Sequence, residues 1–212
     1  MGVDWIAVAR RLQSIAQAGL TYAGDPYDQE RYAALREVAA GIVAAAGGAG
    51  SAQADEVLAL ERGYATPKVD VRAAVFRDGQ ILLVRERADG LWSLPGGWAD
   101  LGETPAEGAV REVAEEAGLP VRPVKVLAVW DRDRHGHPPL LWHVYKIFIR
   151  CELAGGDGDA AGGPAKHLET DGAGFFARDA LPPLSTDRVT AAEIARLFAH
   201  LDQPDLPTDF DV

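Results

Sequence analysis

Cysteine is almost absent from this sequence, and so are segments that would export the chain or insert it into a membrane. A single cysteine, Cys151, excludes an intramolecular disulfide framework and a zinc site built from several cysteines. The first residues have neither the basic nor the apolar stretch of a secretory signal, and no apolar run is long enough to span a bilayer. We therefore expect a cytoplasmic protein without a membrane partner.

Basic residues are scarce as well. Lysine and arginine total 21 against 32 aspartates and glutamates, so the formal net charge is −11 and the pI is about 4.8. This acidity argues against duplex nucleic acid as a partner, because such binding needs basic patches. The 212 residues, 48% of them hydrophobic, suffice for a globular domain with an accessory part. An acidic protein that binds phosphates would need a metal ion or a small local set of basic groups.

The N-terminal part has the periodicity of helices. Apolar residues recur at spacings of three and four after Asp4, which predicts an amphipathic helix that ends at Gly19. A second helix is predicted to close at Gly47, and a third to span 52–60. Acidic residues outnumber arginines by seven to four in the first 60 residues, so these helices are poor candidates for a DNA reader. We interpret 1–62 as a helical extension that serves dimerisation or packing.

After a junction at 63–67 the hydrophobic period changes to two, which is typical of strands. We predict a strand pair around the turn Asp78-Gly79, two longer strands, a short strand at Phe175-Phe176 and a C-terminal helix. The ranges predicted for the longer elements are 69–76, 81–84, 121–130, 141–153 and 189–198. The glycine-rich stretch 155–163 is interpreted as a flexible loop, and the acidic tail 202–212 is expected to fray.

One segment in the middle of the chain carries the strongest local signals. Thr104 and Glu107 form a capping box, and Pro105 suits the first helical position. Gly118 is typical of the residue just after a helix end. Together these signals predict a helix over 105–117.

Three glutamates of this predicted helix, Glu112, Glu115 and Glu116, share one side, and Arg111 lies beside them. Like charges at these spacings repel one another, and one arginine cannot neutralise three carboxylates. Clustered oxygen ligands are what hard divalent cations such as Mg²⁺ or Mn²⁺ require. The pattern therefore favours a metal site, and the alternative interpretation is a solvated acidic helix face.

The same segment resembles the signature of the Nudix hydrolase family. That signature is Gly, five residues, Glu, seven residues, Arg-Glu, an aliphatic residue, any residue, Glu-Glu, any residue, Gly and an aliphatic residue. Every fixed place is filled, and the invariant places alone would match by chance in roughly one chain in a million or fewer. The residues that fill these places are Gly97, Glu103, Arg111, Glu112, Val113, Glu115, Glu116, Gly118 and Leu119.

The resemblance implies a fold and an activity. The fold class would be α+β: a Nudix α/β/α sandwich with a mixed sheet over 67–201, preceded by a small all-helical N-terminal domain. The extension is similar to that of a subfamily that includes a dimeric CDP-choline pyrophosphatase and ADP-ribose enzymes, so a homodimer is expected. The activity would be metal-dependent cleavage of a nucleoside diphosphate linked to X into two phosphate monoesters. A broader nucleotide or RNA-end hydrolase and a non-catalytic ligand sensor are the alternatives.

The resemblance also assigns roles to residues. The cofactor would be Mg²⁺ or Mn²⁺, and its ligands would be Glu112, Glu115, Glu116 and the backbone carbonyl of Gly96. The catalytic candidates are Glu116, Glu115, Arg111 and Glu103. Arg111 would hold the glutamates in place, Glu103 would support the loop or act through water, and a glutamate such as Glu116 would share the role of general base. Many relatives have a further acid where this chain has Gly172, so Glu169 and Asp171 are candidates for that role.

Four other residues are candidates for substrate contacts. Trp130 and His143 would line a pocket in which an aromatic ring stacks on a base, and the alternative is a core tryptophan beside a surface loop. Arg72 and Arg85 lie on the first two predicted strands, where a polar side chain on an apolar face needs a partner. That partner would be substrate phosphate, the glutamate cluster, or an ordinary ion pair at the sheet edge.

Overall fold

The computed structural model describes residues 3–47, 56–154 and 169–212. By its internal contacts the chain divides into two compact units, Met1–Pro67 with Pro139–His143, and Lys68–Pro138 with Val144–Val212. The glycine-rich loop expected at 155–163 lies outside the described residues. Among the helices that can be described, none is long and apolar enough to cross a bilayer.

The first unit is built on two helices, α1 (Trp5–Tyr22) and α2 (Pro26–Gly47), followed by a helical turn at 56–59. The Asp4 carboxylate caps α1 by accepting a hydrogen bond from the backbone N–H of Ala7 at 3.0 Å. The buried centre of the first unit is formed by Ala39, Ala40 and Leu58. Within the third predicted helix, 52–60, only the part from residue 56 onward is described.

The end of α1 differs from its prediction. The helix continues past Gly19 to Tyr22, so Gly19 is not a helix end. A Cβ at position 19 would lie 2.3 Å from the ring of Tyr32, which belongs to α2. Glycine is therefore required by the close approach of the two helices, a need that local sequence patterns do not reveal.

The described residues of the second unit form a sheet, two helices and a 3₁₀ turn at Arg132–Arg134. Its strands are β1 (Lys68–Arg77), β2 (Gln80–Glu86), β3 (Trp92–Ser93), β4 (Gly96–Trp98), β5 (Val121–Asp131), β6 (Val144–Leu153), β7 (Thr170–Phe176) and β8 (Asp209–Phe210). Its helices are α3 (Pro105–Ala117) and α4 (Ala191–Asp202).

The sheet is mixed. Its described strands follow the order β3-β2-β1-β6-β5-β8, with β4 paired to β1 and β7 paired to β2. β1 runs parallel to β6, and β5 runs parallel to β8, whereas the other described pairs are antiparallel. The parallel register places Asp70 beside Lys146 and Arg72 beside Phe148.

Helices α3 and α4 pack on opposite faces of the sheet. Side chains alternate between these two faces along β1, so β1 contributes to both buried clusters. Val71 and Val75 join a buried cluster with Val113 of α3. Ala74 belongs to the opposite cluster, which includes Ile194 of α4. The α/β/α sandwich that the resemblance implied is confirmed.

Several strands differ in length from their predictions, and β6 and β7 show two of the reasons. β6 begins at Val144 rather than at 141, because Leu141 and Trp142 pack against the apolar centre of the first unit. β7 covers Thr170–Phe176, and its glycines hid most of it from a search for apolar runs.

The expectation that the acidic tail frays is wrong. Its residues Asp209 and Phe210 form β8 beside β5. Asp209 accepts a hydrogen bond from Arg196 of α4 at 2.7 Å, and the Thr208 hydroxyl donates to the Val126 carbonyl at 2.8 Å. The acidic composition suggested a solvated tail, but these long-range partners hold the tail in place.

Candidate active site

Helix α3 has the bounds that its local signals predict. The Thr104 side chain accepts from the Glu107 N–H at 3.2 Å, while the Glu107 carboxylate accepts from the Thr104 N–H at 2.8 Å. Gly118 follows the helix in the left-handed region, with φ of 67°. Local interactions therefore fix where the helix starts and where it ends.

Arg111 connects four carboxylates around this helix. Its Nε lies 3.1 Å from both oxygens of Glu103, and its Nη1 donates to Glu112 and to Glu115, each at 3.1 Å. Its Nη2 lies 3.2 Å from Asp100. Burial alone would lower the pKa of Arg111, but Glu103, Glu112 and Glu115 raise it above its ordinary value. One guanidinium thus ties the loop before α3 to the acidic side of the helix.

Glu116 is the most buried of the three clustered glutamates, with 3% of its surface exposed. Its Oε2 accepts a hydrogen bond from the Gly96 N–H at 3.0 Å. Burial raises the pKa of Glu116 to about 8, although the Gly96 N–H and the Arg72 charge oppose the rise. Burial also raises the pKa of Glu112, against the influence of Arg111. A cation bound beside Glu112 and Glu116 would lower the pKa of both groups and so stabilise their ionised forms.

Two glycines bring strand β4 against the acidic side of α3. Gly96 has φ of 143°, and a Cβ there would lie 2.0 Å from the Val71 carbonyl oxygen. A Cβ at Gly97 would lie 3.1 Å from Oε1 of Glu112. The chain therefore needs glycine here so that its backbone can approach both β1 and the glutamates.

Arg72 lies next to this cluster, on the neighbouring strand β1. Its Nε donates to both oxygens of Asp70, at 2.9 and 3.1 Å, and its Nη1 donates to the Leu94 carbonyl at 3.1 Å. Burial would lower the pKa of Arg72, but the charges of Asp70, Glu116 and Glu86 raise it. The fold therefore brings this predicted substrate residue together with the predicted metal ligands.

Glu86 is an acid of this region that the sequence analysis missed. It is buried, accepts a hydrogen bond from the Ser93 hydroxyl at 2.6 Å and lies 3.2 Å from Nε of Arg188. Its charge contributes to raising the pKa of Glu116. Glu86 follows Leu82 and Val84 at every second position of β2, so its side chain lies on the same buried face of the strand. An acidic residue at a position where the pattern predicts an apolar one was the sequence signal that could have identified it.

The other predicted substrate residues lie in different surroundings. Arg85 is partly exposed and forms an ion pair with Asp171, from β2 to β7, at 2.6 Å. Of the partners considered for Arg85, the structure shows the ordinary ion pair. Trp130 is 5% exposed and stacks on His135 with ring centres 4.5 Å apart. His143 groups with the helical unit rather than with the unit that carries the glutamates.

The donor set fits a hard divalent cation. The carboxylates of Glu112 and Glu116 lie against the backbone of β4, the pKa of each is raised, and their atoms are the oxygen type that Mg²⁺ and Mn²⁺ prefer. Arg72 and Arg111 flank the same place with positive charge. Such an arrangement can bind an anion that carries several phosphate oxygens.

Family models match both parts of the chain. The model of the NUDIX domain matches residues 66–198, and a model described as a UDP-X-like, N-terminal oligomerisation domain matches residues 3–58.

Individual proteins are similar over most of this length. A Bacillus subtilis (strain 168) protein with the provisional name ADP-ribose pyrophosphatase is 45% identical over 207 residues, which cover 98% of this chain and 97% of that protein. The crystal structure of a UDP-X diphosphatase is 32% identical, with a TM-score of 0.61 and 98% of each chain covered. The crystal structure of an ADP-ribose pyrophosphatase from Streptococcus suis 89-1591 is 42% identical, with a TM-score of 0.61, and covers 69% of this chain and 100% of that one.

Proposed function

Because this chain belongs to the Nudix hydrolase family, we propose that it is a divalent-metal-dependent enzyme that hydrolyses a nucleoside diphosphate linked to X into two phosphate monoesters. The observation that carries the proposal is the carboxylate cluster around Arg111, with Glu116 bound to the Gly96 N–H. An acidic helix face without a function would leave these glutamates in solvent, whereas Glu116 is buried.

ADP-ribose is the first substrate that we propose. Two similar proteins carry that name, and the chain is alike in length to the Bacillus subtilis one. UDP-linked compounds come next, because the neighbour that covers 98% of this chain is named a UDP-X diphosphatase. CDP-choline, suggested by the sequence resemblance alone, is the third.

We propose that Glu112, Glu115, Glu116 and the Gly96 carbonyl hold Mg²⁺ or Mn²⁺. Once bound, the cation would stabilise the negative charge that spreads over phosphate oxygens during phosphoryl transfer. Arg111 keeps Glu112 and Glu115 at fixed positions from one side, and Glu103 anchors Arg111 in turn. The metal ligands are thus oriented before substrate arrives, which reduces the cost of ordering them.

Two side chains are proposed to act on the substrate directly. Glu116 would accept a proton from the attacking water at the carboxylate oxygen that does not bind the Gly96 N–H. Arg72 would contact the pyrophosphate, because its positive charge lies beside the same glutamates.

The test is a substrate panel with ADP-ribose, UDP-linked sugars and CDP-choline, with Mg²⁺, with Mn²⁺ and with a chelator. We expect two phosphate monoesters from at least one compound, no cleavage in the chelator, and the largest kcat/KM for ADP-ribose. Chromatography of the products reads the outcome. Binding of a panel compound without cleavage would overturn the proposal in favour of a ligand sensor, and preferred cleavage of nucleoside triphosphates or RNA ends would favour a broader hydrolase.

We also propose that the chain forms a homodimer through its helical part. Support comes from the match of residues 3–58 to an oligomerisation domain and from the exposed apolar side chains Trp5, Ile15 and Val38 on α1 and α2. Light scattering at micromolar protein should give twice the 22.6 kDa mass of the chain. A monomeric mass would contradict this proposal.

A further inference from the structure

A fully buried lysine lies on the sheet face that packs against α4. Lys146 has no exposed side-chain surface, and its Nζ lies 3.3 Å from Oε1 of Glu193 and 3.9 Å from Oδ2 of Asp70. Asp70 and Lys146 are register partners on the parallel strands β1 and β6. Burying a lysine is costly, so its partners must compensate for its lost hydration.

The partners of Lys146 come from three separate parts of the second unit. Glu193, in the first turn of α4, accepts from the Thr190 N–H at 2.8 Å and lies 2.9 Å from Nε2 of His137. The Lys146 ammonium also donates to the Arg188 carbonyl and lies 3.4 Å from the same His137 nitrogen. This set fixes Nζ from several sides, so the lysine has little freedom to move.

The ionic set continues into the candidate active site. Both oxygens of Asp70 accept from Nε of Arg72, at 2.9 and 3.1 Å, and Oδ2 also lies 3.9 Å from Nζ of Lys146. The Arg72 side chain packs on Gly96 so closely that a Cβ there would lie 2.9 Å from Cδ of Arg72. Gly96 in turn donates to Glu116. Each step from Lys146 to the glutamates is therefore a direct contact.

The charges explain what the lysine would do for Arg72. Asp70 is shared between two cations, and Glu193 balances the second one. Without Lys146, Asp70 and Glu193 would lose the cation that lies between them, and Arg72 would remain as the cation hydrogen-bonded to Asp70. The guanidinium would then be drawn toward Asp70, and its positive potential at the site would fall. A buried ion pair often contributes little net stability, so a role in positioning gives a reason for its presence.

We propose that Lys146, acting through Asp70, is a positioning residue that holds Arg72 where it binds a pyrophosphate group. The inference rests on the proposed function only in taking pyrophosphate as the ligand. Lys146 itself makes no contact with substrate, because it has no exposed surface.

A double-mutant cycle tests the coupling. The variants are Lys146→Met, Arg72→Gln and the double variant, and the readout is the affinity for inorganic pyrophosphate measured by calorimetry with Mg²⁺. Lys146→Met should weaken binding about tenfold when Arg72 is present and less than about twofold in the Arg72→Gln background. KM for the substrate that the wild type cleaves should follow the same pattern, whereas kcat should change less than KM.

A matched control removes a different lysine by the same substitution. Lys125 donates to backbone carbonyls of the tail and has no contact with the ionic set, so Lys125→Met should leave pyrophosphate affinity unchanged. If Lys146→Met does not fold, Asp70→Asn replaces it in the cycle, because it removes the shared charge while keeping the side-chain shape. Thermal unfolding of each variant separates loss of fold from loss of affinity.

Several outcomes would overturn the proposal. They are equal weakening in both Arg72 backgrounds, unchanged affinity in a folded Lys146→Met or Asp70→Asn protein, and failure of the wild type to bind pyrophosphate. Coupled pyrophosphate binding without cleavage of any nucleoside diphosphate would leave this inference intact and overturn the proposed function. Cleavage of a nucleoside diphosphate without coupling between Lys146 and Arg72 would overturn this inference and leave the proposed function intact.

Discussion

Helices α3 and α4 begin with the same four-residue pattern and use it differently. In each, a threonine side chain accepts from the backbone of a glutamate three residues later at 3.2 Å, and that glutamate reaches back to the threonine N–H. The pairs are Thr104 with Glu107 and Thr190 with Glu193. Glu107 is exposed, whereas 1% of Glu193 is exposed and it also contacts His137 and Lys146.

The difference shows what a local pattern determines. The capping box sets where a helix starts, whichever surroundings the glutamate has. The tertiary partners then decide whether the glutamate serves only as a cap. In α3 the proposed chemistry lies in the second half of the helix, around Glu112 and Glu116, whereas in α4 the cap itself belongs to the buried ionic set.

The largest effect is expected on α3, at Glu116. Glu116→Gln should lower kcat by about 100- to 10,000-fold, because the amide can neither accept the proton nor supply a charged ligand. The fold should persist, since glutamine resembles the protonated form that burial favours. Steady-state rates and circular dichroism check this. Glu107→Gln on the same helix is the matched control and should keep wild-type turnover; comparable rates in both variants would refute the role given to Glu116.

The cap of α4 should matter more for stability than that of α3. Glu193→Gln removes one charge from a buried ionic set, and we expect it to lower the free energy of unfolding by about 3 kcal/mol. Glu107→Gln removes an exposed charge, so its effect on stability should be far smaller. Urea unfolding compares the two variants. Equal losses would mean that Glu193 is no more than a cap.

The pH dependence of stability should distinguish Glu116 from the caps. The pKa of Glu116 is raised from 4.5 to about 8, so the folded protein binds this proton more tightly than the unfolded chain does. In a chelator, the Glu116 contribution to stability is therefore full below pH 4.5 and is lost as the pH rises through about 8. Subtracting the Glu116→Gln melting curve from the wild-type curve isolates this loss. If the stability of the wild type relative to Glu116→Gln increases as the pH rises, the raised pKa of Glu116 is contradicted.

The smallest effects are expected from the threonine caps. Thr104→Ala and Thr190→Ala should each lower the free energy of unfolding by about 1 kcal/mol, because each removes one capping hydrogen bond. Thr190→Ala should also disturb the ionic set around Glu193, so its loss should be the larger. Chemical unfolding measures both. A larger loss at Thr104 would reverse the comparison between the helices.

Local sequence patterns predicted the bounds of α3 and a C-terminal helix at 189–198, but they did not reveal the buried contacts of α4 and its neighbouring strands. The bounds of α3 follow from Thr104, Pro105 and Gly118, and the spacing of its glutamates identifies the family. The buried set around Lys146 depends on the register between β1 and β6 and on contacts with the loop that carries His137. No short segment contains that information. Likewise β8 depends on partners in β5 and α4, which composition does not reveal.

The central claim is that the glutamates of α3 hold the cation that allows this chain to cleave a pyrophosphate. Product analysis of ADP-ribose incubated with the enzyme and Mg²⁺ tests it most directly. The account predicts AMP and ribose 5-phosphate in equal amounts, and neither product in a chelator or with Glu116→Gln. Intact ADP-ribose in a panel where no other nucleoside diphosphate is cleaved, or equal rates with and without the cation, would contradict it.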